Sequence, residues 1–181
     1  MRIVAGTWKG RTLTAPPGLD TRPTADRVRQ ALFDILLHAP WAGRSLIENA
    51  LILDVFAGTG ALGLEALSRG AARAVFVEQA RPALAALRAN IAACKAVDRC
   101  EVLAVEALSM PTGPKADIVF LDPPYGRDLI PKTLTRLRAI ERLGEGTLIV
   151  AETGRDEPAP VDDPLSERVH GAACLTIWRE K

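Results

Sequence analysis

From Leu51 onward the chain alternates short β-branched apolar runs with segments of helical period, and that alternation leaves few folds open. The runs are Leu51 to Phe56, Arg73 to Glu78, Cys100 to Val105, Asp117 to Asp122 and Gly146 to Ala151. Near-continuous apolar strands of this kind are buried on both faces, so helices must cover the sheet on both sides. Arg81-Pro82 opens a helix with Leu84, Leu87 and Ile91 on one face, and Ile130, Leu134, Leu137 and Ile140 mark another. Each strand, helix and strand builds a right-handed crossover. The end differs: Glu167 to His170, a turn at Gly171, then Ala173 to Trp178 spell a hairpin, so the last strands are expected to be antiparallel. With 181 residues, 48% of them hydrophobic, the chain can bury one sizeable core without disulfide or metal staples.

The first 44 residues read as an extension to a domain covering 45–181. Ile3 to Trp8 and Arg11 to Thr14, joined across Lys9-Gly10, suggest a hairpin that Pro16-Pro17-Gly18 breaks off. Thr24 is the expected N-cap of a helix whose Val28, Ala31, Leu32, Ile35 and Leu36 repeat on one face, a stripe that must dock on something, most simply the sheet. Residues 1–44 hold seven Lys/Arg against three Asp/Glu, while the whole chain is only +1. An overall charge so small excludes a protein that coats nucleic acid indiscriminately, and leaves the basic end as the candidate nucleic-acid face. Cys94, Cys100 and Cys174 form no C-x-x-C pair and make no metal-ligand pattern with His38 or His170, so reduced thiols and no metal site are expected. No stretch has the length of a signal peptide or membrane span, so a cytoplasmic protein with no membrane partner is expected. Asp156 to Pro164, with three prolines, reads as a surface loop.

Three segments carry chemistry. Asp54-Val55-Phe56-Ala57-Gly58-Thr59-Gly60-Ala61-Leu62-Gly63 is a glycine-rich turn from strand to helix, and it fits G-x-G-x-x-G with acidic Glu78 twenty residues after Gly58. Such a turn also occurs without a ligand, and Glu78 could be a solvated strand-end carboxylate; together they describe a pocket for a nucleoside with a free ribose diol. The third segment, Asp122-Pro123-Pro124-Tyr125, stiffens a turn between an acceptor and an aromatic face. That combination can accept hydrogen bonds from a planar amine while stacking the base that carries it, although Pro-Pro also simply ends strands. Both turns fall at the carboxyl edge of one sheet, where open α/β sheets hold ligands.

These residues resemble the class I S-adenosylmethionine-dependent methyltransferases with an (N/D)PP(Y/F) motif. Arg2-Ile3-Val4-Ala5-Gly6, Gly10-Arg11, Arg22-Pro23-Thr24-x-Asp26-Arg27-Val28-Arg29 with Leu32-Phe33, and Asp54 to Ala66 are similar to the bacterial small-subunit rRNA guanine-N2 methyltransferase family, named for guanine 966 of 16S rRNA. The N-terminal signature is the specific part; the glycine loop and DPPY are shared by many methyltransferases. The resemblance implies a Rossmann-like α/β fold whose seven-stranded, mostly parallel sheet has its last strand antiparallel. It implies S-adenosylmethionine as cofactor, with Asp54 and the Ala57, Gly58, Thr59 and Gly60 backbone holding the methionine end and Glu78 the ribose hydroxyls. Asp122, Pro123, Pro124 and Tyr125 would hold the target base as catalytic residues. Glu106-Ala107 stands where Asp or Asn before Ala usually reads the adenine amine, and Gln30 where the helix signature usually has Glu. Lys9, Arg11, Arg22, Thr24, Arg27 and Arg29 are the candidate RNA contacts, and the expected partner is 16S rRNA within the small ribosomal subunit or its assembly intermediate, met by a monomer.

The rivals are a DNA adenine-N6 or protein glutamine methyltransferase, a non-catalytic RNA-binding assembly factor, and a nicotinamide oxidoreductase. The first usually has Asn before Pro-Pro, the second could lose Asp122 or Tyr125, and the third has no use for Asp122 to Tyr125.

Overall fold

The computed structural model describes residues 1–16, 23–158 and 160–181 and, within these, no side chain of residues 23–25. Its strands are β1 (Leu51–Val55), β2 (Arg73–Val77), β3 (Cys100–Leu103), β4 (Ile118–Leu121), β5 (Leu148–Gly154), β6 (Ser166–His170) and β7 (Ala173–Arg179). They form a single sheet in the order β3-β2-β1-β4-β5-β7-β6. From β3 to β5 all neighbours are parallel, and β7 alone runs against both of its own. The helices are α1 (Pro23–His38), α2 (Ala61–Ser68), α3 (Arg81–Ala93) and α4 (Leu129–Ala139).

Strand alternation assigns the two layers. Ile52, Phe76, Phe120 and Val150 face a core built with Leu32, Phe33 and Leu36 of α1, Leu64 and Leu67 of α2, and Leu87 and Ile91 of α3. Leu53, Val55, Val119, Leu121 and Ile149 face the other way, onto Ile130, Leu134 and Leu137 of α4. The apolar stripe of α1 thus docks on the sheet, with the Phe33 ring centroid 6.0 Å from that of Phe120. Burying Leu32, Phe33 and Leu36 completely stabilises this contact by about 1.5–3 kcal/mol per side chain. Crossovers leave β1 toward β2 and β4 toward β5 in opposite directions, so a crevice opens at the carboxyl ends of β1 and β4.

The N-terminal hairpin is smaller than its sequence suggests. One antiparallel bridge, Arg2 to Thr12, joins its arms, flanked by bonds from the Ile3 amide to the Arg11 carbonyl (2.9 Å) and from the Leu13 amide to the Met1 carbonyl (3.0 Å). Pairing stops there because α2 competes for the following amides. Val4 and Ala5 donate to the Glu65 carboxylate at 2.7 and 3.0 Å, Thr7 to the Ser68 carbonyl at 2.8 Å, and Trp8 to Ser68 Oγ at 3.0 Å. Gly6, at φ 78°, lies so close to α2 that a Cβ would stand 1.9 Å from the Ser68 carbonyl oxygen, so only glycine fits. Helix α1 begins at Pro23, one residue before the expected cap Thr24, whose side chain is outside the described residues. Cys94 and Cys174 are buried and Cys100 half-buried, all three as free thiols. Among the described residues, no helix is long and apolar enough to cross a membrane.

Candidate functional site

Strand β1 ends where Phe56 takes a left-handed φ of 65°, one residue short of the expected strand end, and turns the chain into the glycine loop. The Ala57 amide returns to the Val77 carbonyl (3.0 Å) and the Gly60 amide to the Ala57 carbonyl (2.7 Å), which makes the loop one tight turn before α2. Asp54 accepts the Gly63 amide at 2.9 Å from inside the first turn of α2, whose N-terminal dipole favours a carboxylate there. A Cβ on Gly63 would stand 2.4 Å from the Phe76 ring and 3.1 Å from the Asp54 carboxylate, so the third glycine is required for this approach of helix to strand.

Glu78, just past β2, closes the loop from the other side. Its Oε2 accepts the Gly58 amide and its Oε1 the Gln79 and Ala80 amides, each at 2.8 Å. One carboxylate therefore ties the glycine loop to the start of α3. Asn90, buried in α3, adds a second tie: its amide donates to the carbonyls of Thr59 (2.9 Å) and Thr14 (3.0 Å) and accepts the Thr14 amide (2.7 Å). The Thr59 hydroxyl donates to Met1 Sδ at 3.5 Å.

Asp122, Pro123, Pro124 and Tyr125 follow β4. Pro123 is buried, whereas Asp122, Pro124 and Tyr125 are exposed. The Tyr125 hydroxyl donates to Glu152 Oε1 of β5 at 2.6 Å. Leu121 pairs with Ala151, so one step further in register Asp122 stands beside Glu152 on the same face of the sheet. Asp54 pairs with Phe120, two residues before Asp122, and shares that face.

Two clefts meet here. One, of about 430 Å³, is lined by Asp54, Phe56, Ala57, Gly58, Thr59, Asp122, Tyr125 and Glu152, with the β6–β7 turn at Gly171 and Ala172 opposite. The other, of about 570 Å³, is lined by Glu78, Glu106, Ala107, Pro123 and Pro124. Phe56, Asp122 and Tyr125 belong to both. Gly60 lines neither; it turns toward Leu87, whose Cδ1 lies 2.4 Å from where a Cβ would be. Glu106 is exposed at the second cleft, and Ala107 behind it is buried.

The junction is strongly acidic. Burial raises the Asp54 pKa to about 8; the Gly63 amide opposes this, while the charges of Asp122 and Glu78 add to it. Asp122 lies in a recess crowded by protein yet still reached by water. That crowding, then the charge of Glu152, raises its pKa to about 7. Burial and the bond to Glu152 push the Tyr125 phenol upward as well.

The basic candidates separate into groups. Lys9 and Arg27 line a recess of about 640 Å³ with Arg2 and Gln30. Arg11 donates to the Ala93 carbonyl at the end of α3. Arg29 is not on a solvated face: it is 4% exposed, bound to Asp26 Oδ1 at 2.8 Å and the Arg2 carbonyl at 2.5 Å, and 3.6 Å from Glu65. Its charge is neutralised inside the fold, because the buried Glu65 requires a cation beside it. Arg22 lies outside the described residues, as does the side chain of Thr24.

Sequence reasoning missed Glu152, Asn90 and Glu65. Glu152 carried a signal: it follows Val150 by two residues, as Asp54 follows Ile52 and Asp122 follows Phe120, so all three carboxylates continue one core face past its end.

Comparison with known proteins places this geometry. The family model described as conserved hypothetical protein 95 matches residues 1–178. The ribosomal RNA small subunit methyltransferase D of Escherichia coli strain K12 is 41% identical over 162 residues, 88% of this chain and 78% of that protein. Its namesake in Haemophilus influenzae is 36% identical over 187 residues, 99% of this chain and 93% of that one. The solved structure of Escherichia coli yhhF matches with a TM-score of 0.85 at 38% identity, covering 100% of this chain and 98% of its own. A family model spanning nearly the whole sequence, and a relative this similar over most of it, make the chain a member of the ribosomal RNA small subunit methyltransferase D family.

Proposed function

We propose that this chain transfers a methyl group from S-adenosylmethionine to the exocyclic N2 amine of a guanine in small-subunit ribosomal RNA, guanine 966 being the position for which its family is named. The observation that carries the cofactor reading is the charge of the two clefts. Asp54, Glu78, Asp122 and Glu152 converge there, Asp54 giving up its retained proton when a cation is held beside it. Among the described residues Arg29 is the one Lys or Arg lining the first cleft and is already paired, and Arg127 is the one lining the second. S-adenosylmethionine brings a sulfonium and an ammonium, whereas a nicotinamide dinucleotide would bring a pyrophosphate against the same carboxylates. Asp54 and the Ala57 to Gly60 backbone suit the methionine end, Glu78 the ribose, and Glu106-Ala107 the adenine.

When bound, the cofactor supplies an electrophilic methyl carbon, and the chain's own residues prepare the acceptor. Asp122 and the Pro123 carbonyl accept the two amine hydrogens, which draws the nitrogen toward a pyramidal shape and frees its lone pair. The proline-stiffened turn fixes that orientation in advance, so the reacting atoms need little further ordering. Asp122, with a pKa raised to about 7, is suited to take the proton the amine releases. Tyr125, 46% exposed and held by Glu152, offers its ring to a base that is unpaired or flipped out.

The 1–44 segment, with Arg2, Lys9 and Arg27 around one recess, is the RNA-docking element. Few phosphates can be held by so few cations, each adding only about 0.7–0.9 to the salt slope, so shape must supply the rest. An assembled or assembling small subunit in the cytoplasm therefore fits better than protein-free rRNA.

The test is incubation with labelled S-adenosylmethionine and matched small subunits, protein-free rRNA, DNA and protein across a salt series. Label is expected in guanine of the subunit, and about a hundredfold slower in Asp122→Ala with cofactor affinity kept within a few fold. Label in DNA or protein, or an Asp122→Ala variant with the parental rate, would refute the reading. Equal labelling of protein-free rRNA at physiological salt would refute the assembled-subunit part.

A further inference from the structure

The edge of guanine that carries N2 is unusual among the bases: the amine lies beside a second donor, the N1–H. Every other amine-bearing base places an acceptor nitrogen next to its amine. A pocket that selects guanine-N2 therefore needs two acceptors side by side.

Asp122 and Glu152 supply such a pair. They stand beside each other at the carboxyl ends of β4 and β5, on one face of the sheet and lining one cleft. Glu152 Oε1 is engaged by the Tyr125 hydroxyl at 2.6 Å, which fixes the carboxylate's direction. Among the described residues no group donates to Glu152 Oε2 and no cation pairs with either carboxylate.

We propose that Glu152 is a specificity-determining residue that accepts the N1 proton of the target guanine while Asp122 accepts the adjacent amine, an inference that rests on the guanine-N2 reading above. A base with a lone pair at that position meets a carboxylate instead of a donor and is rejected. The bond to Glu152 gives the Tyr125 hydroxyl a purpose that stacking alone does not: it orients the reading carboxylate.

The experiment compares guanine with 2-aminopurine, which keeps the N2 amine but carries a lone pair at N1, each placed at the mapped target nucleotide of reconstituted small subunits. The parent is expected to methylate guanine at least about tenfold faster, the effect of one charge-assisted hydrogen bond. In Glu152→Gln the amide oxygen keeps the Tyr125 hydroxyl and the amide nitrogen turns to the base. The guanine to 2-aminopurine ratio should then fall at least about tenfold, and Tyr125→Phe, which loosens the reading carboxylate without removing it, should lower the ratio by less. If Glu152→Gln does not fold, Glu152→Asp, which withdraws the carboxylate by one methylene, takes its place with the same expected fall in the ratio, and equal parental rates on the two bases overturn the inference. A ratio unmoved by Glu152→Gln overturns this inference only, while a parent that methylates no guanine overturns the function on which it rests.

Discussion

Replacing Glu65 by alanine tests whether the N-terminal segment is held by one buried carboxylate. Glu65 is fully buried in α2, accepts the Val4 and Ala5 amides and Arg69 Nε (2.8 Å), and lies 3.6 Å from Arg29 Nε. Truncation leaves two guanidiniums, 4% and 8% exposed, without their common anion. Arg29 still has Asp26, but among the described residues Arg69 keeps only the face of Phe33, 4.7 Å away. Breaking a buried pair by removing one partner costs about 3–5 kcal/mol. The two orphaned amides would add about 1–3 kcal/mol each if they stayed buried, so the segment has an alternative, which is to lift off. Lifting exposes Ile3 and Leu13, both now buried, at about 1.5–3 kcal/mol each. Staying down thus costs about 5–11 kcal/mol and lifting about 3–6 kcal/mol, so lifting is the cheaper route and a loss of about 3–6 kcal/mol is expected. Urea unfolding measures the loss, and hydrogen exchange at Val4 and Ala5 tells the routes apart. A lower m-value would accompany lifting, since less surface remains to be exposed. A loss below about 1 kcal/mol with both amides still protected would refute the role of Glu65.

Three further outcomes are expected. Glu78→Ala should weaken S-adenosylmethionine binding at least about tenfold by calorimetry, because the variant loses the proposed ribose acceptor and frees the Gly58, Gln79 and Ala80 amides together; unchanged affinity would count against both. Asn90→Ala should lower stability by about 1–3 kcal/mol and also reduce the thermal shift produced by S-adenosylmethionine, since it releases the Thr59 carbonyl of the loop as well as both backbone groups of Thr14; a normal ligand shift would confine Asn90 to packing. Asp54 and Asp122 hold protons in the folded chain up to about pH 8 and about pH 7, against 3.8 for an ordinary aspartate. Their contribution to stability is thus full below about pH 4 and lost as pH rises toward 8, by at most about 1.4 kcal/mol per pH unit for each group and less for solvent-exposed Asp122. Urea midpoints at pH 5 and pH 8 should fall further in the parent than in Asp54→Asn, and equal falls would refute the buried-proton account.

The sheet was legible because it is written in local code. Apolar runs bounded by turns mark five strands to within a few residues, the turn at Gly171 marks the hairpin of the last two, and the Gly58-x-Gly60-x-x-Gly63 spacing reflects contacts made within one strand-to-helix unit. The N-terminal hairpin was overestimated for the opposite reason. Val4, Ala5 and Trp8 alternate as a strand would, but their amides bind Glu65 and Ser68, about sixty residues away, and no local pattern encodes that preference. Arg29 was misjudged in the same way, since in sequence a buried arginine looks like an exposed one until Glu65 is seen beside it. Glu152 was within reach of the alternation rule, but only once the register of β4 against β5 was known.

The clamp on the N-terminal segment also has a cost in time. Residues 1–14 leave the ribosome well before their partners Glu65, Ser68 and Asn90, which lie 60 to 76 residues further on. At about 5–20 residues per second of synthesis, the segment waits several seconds before Asn90 exists to receive Thr14. Through that interval Ile3, Trp8 and Leu13 have no core to enter, and a nascent chain stalled before residue 90 keeps them available to chaperones and proteases.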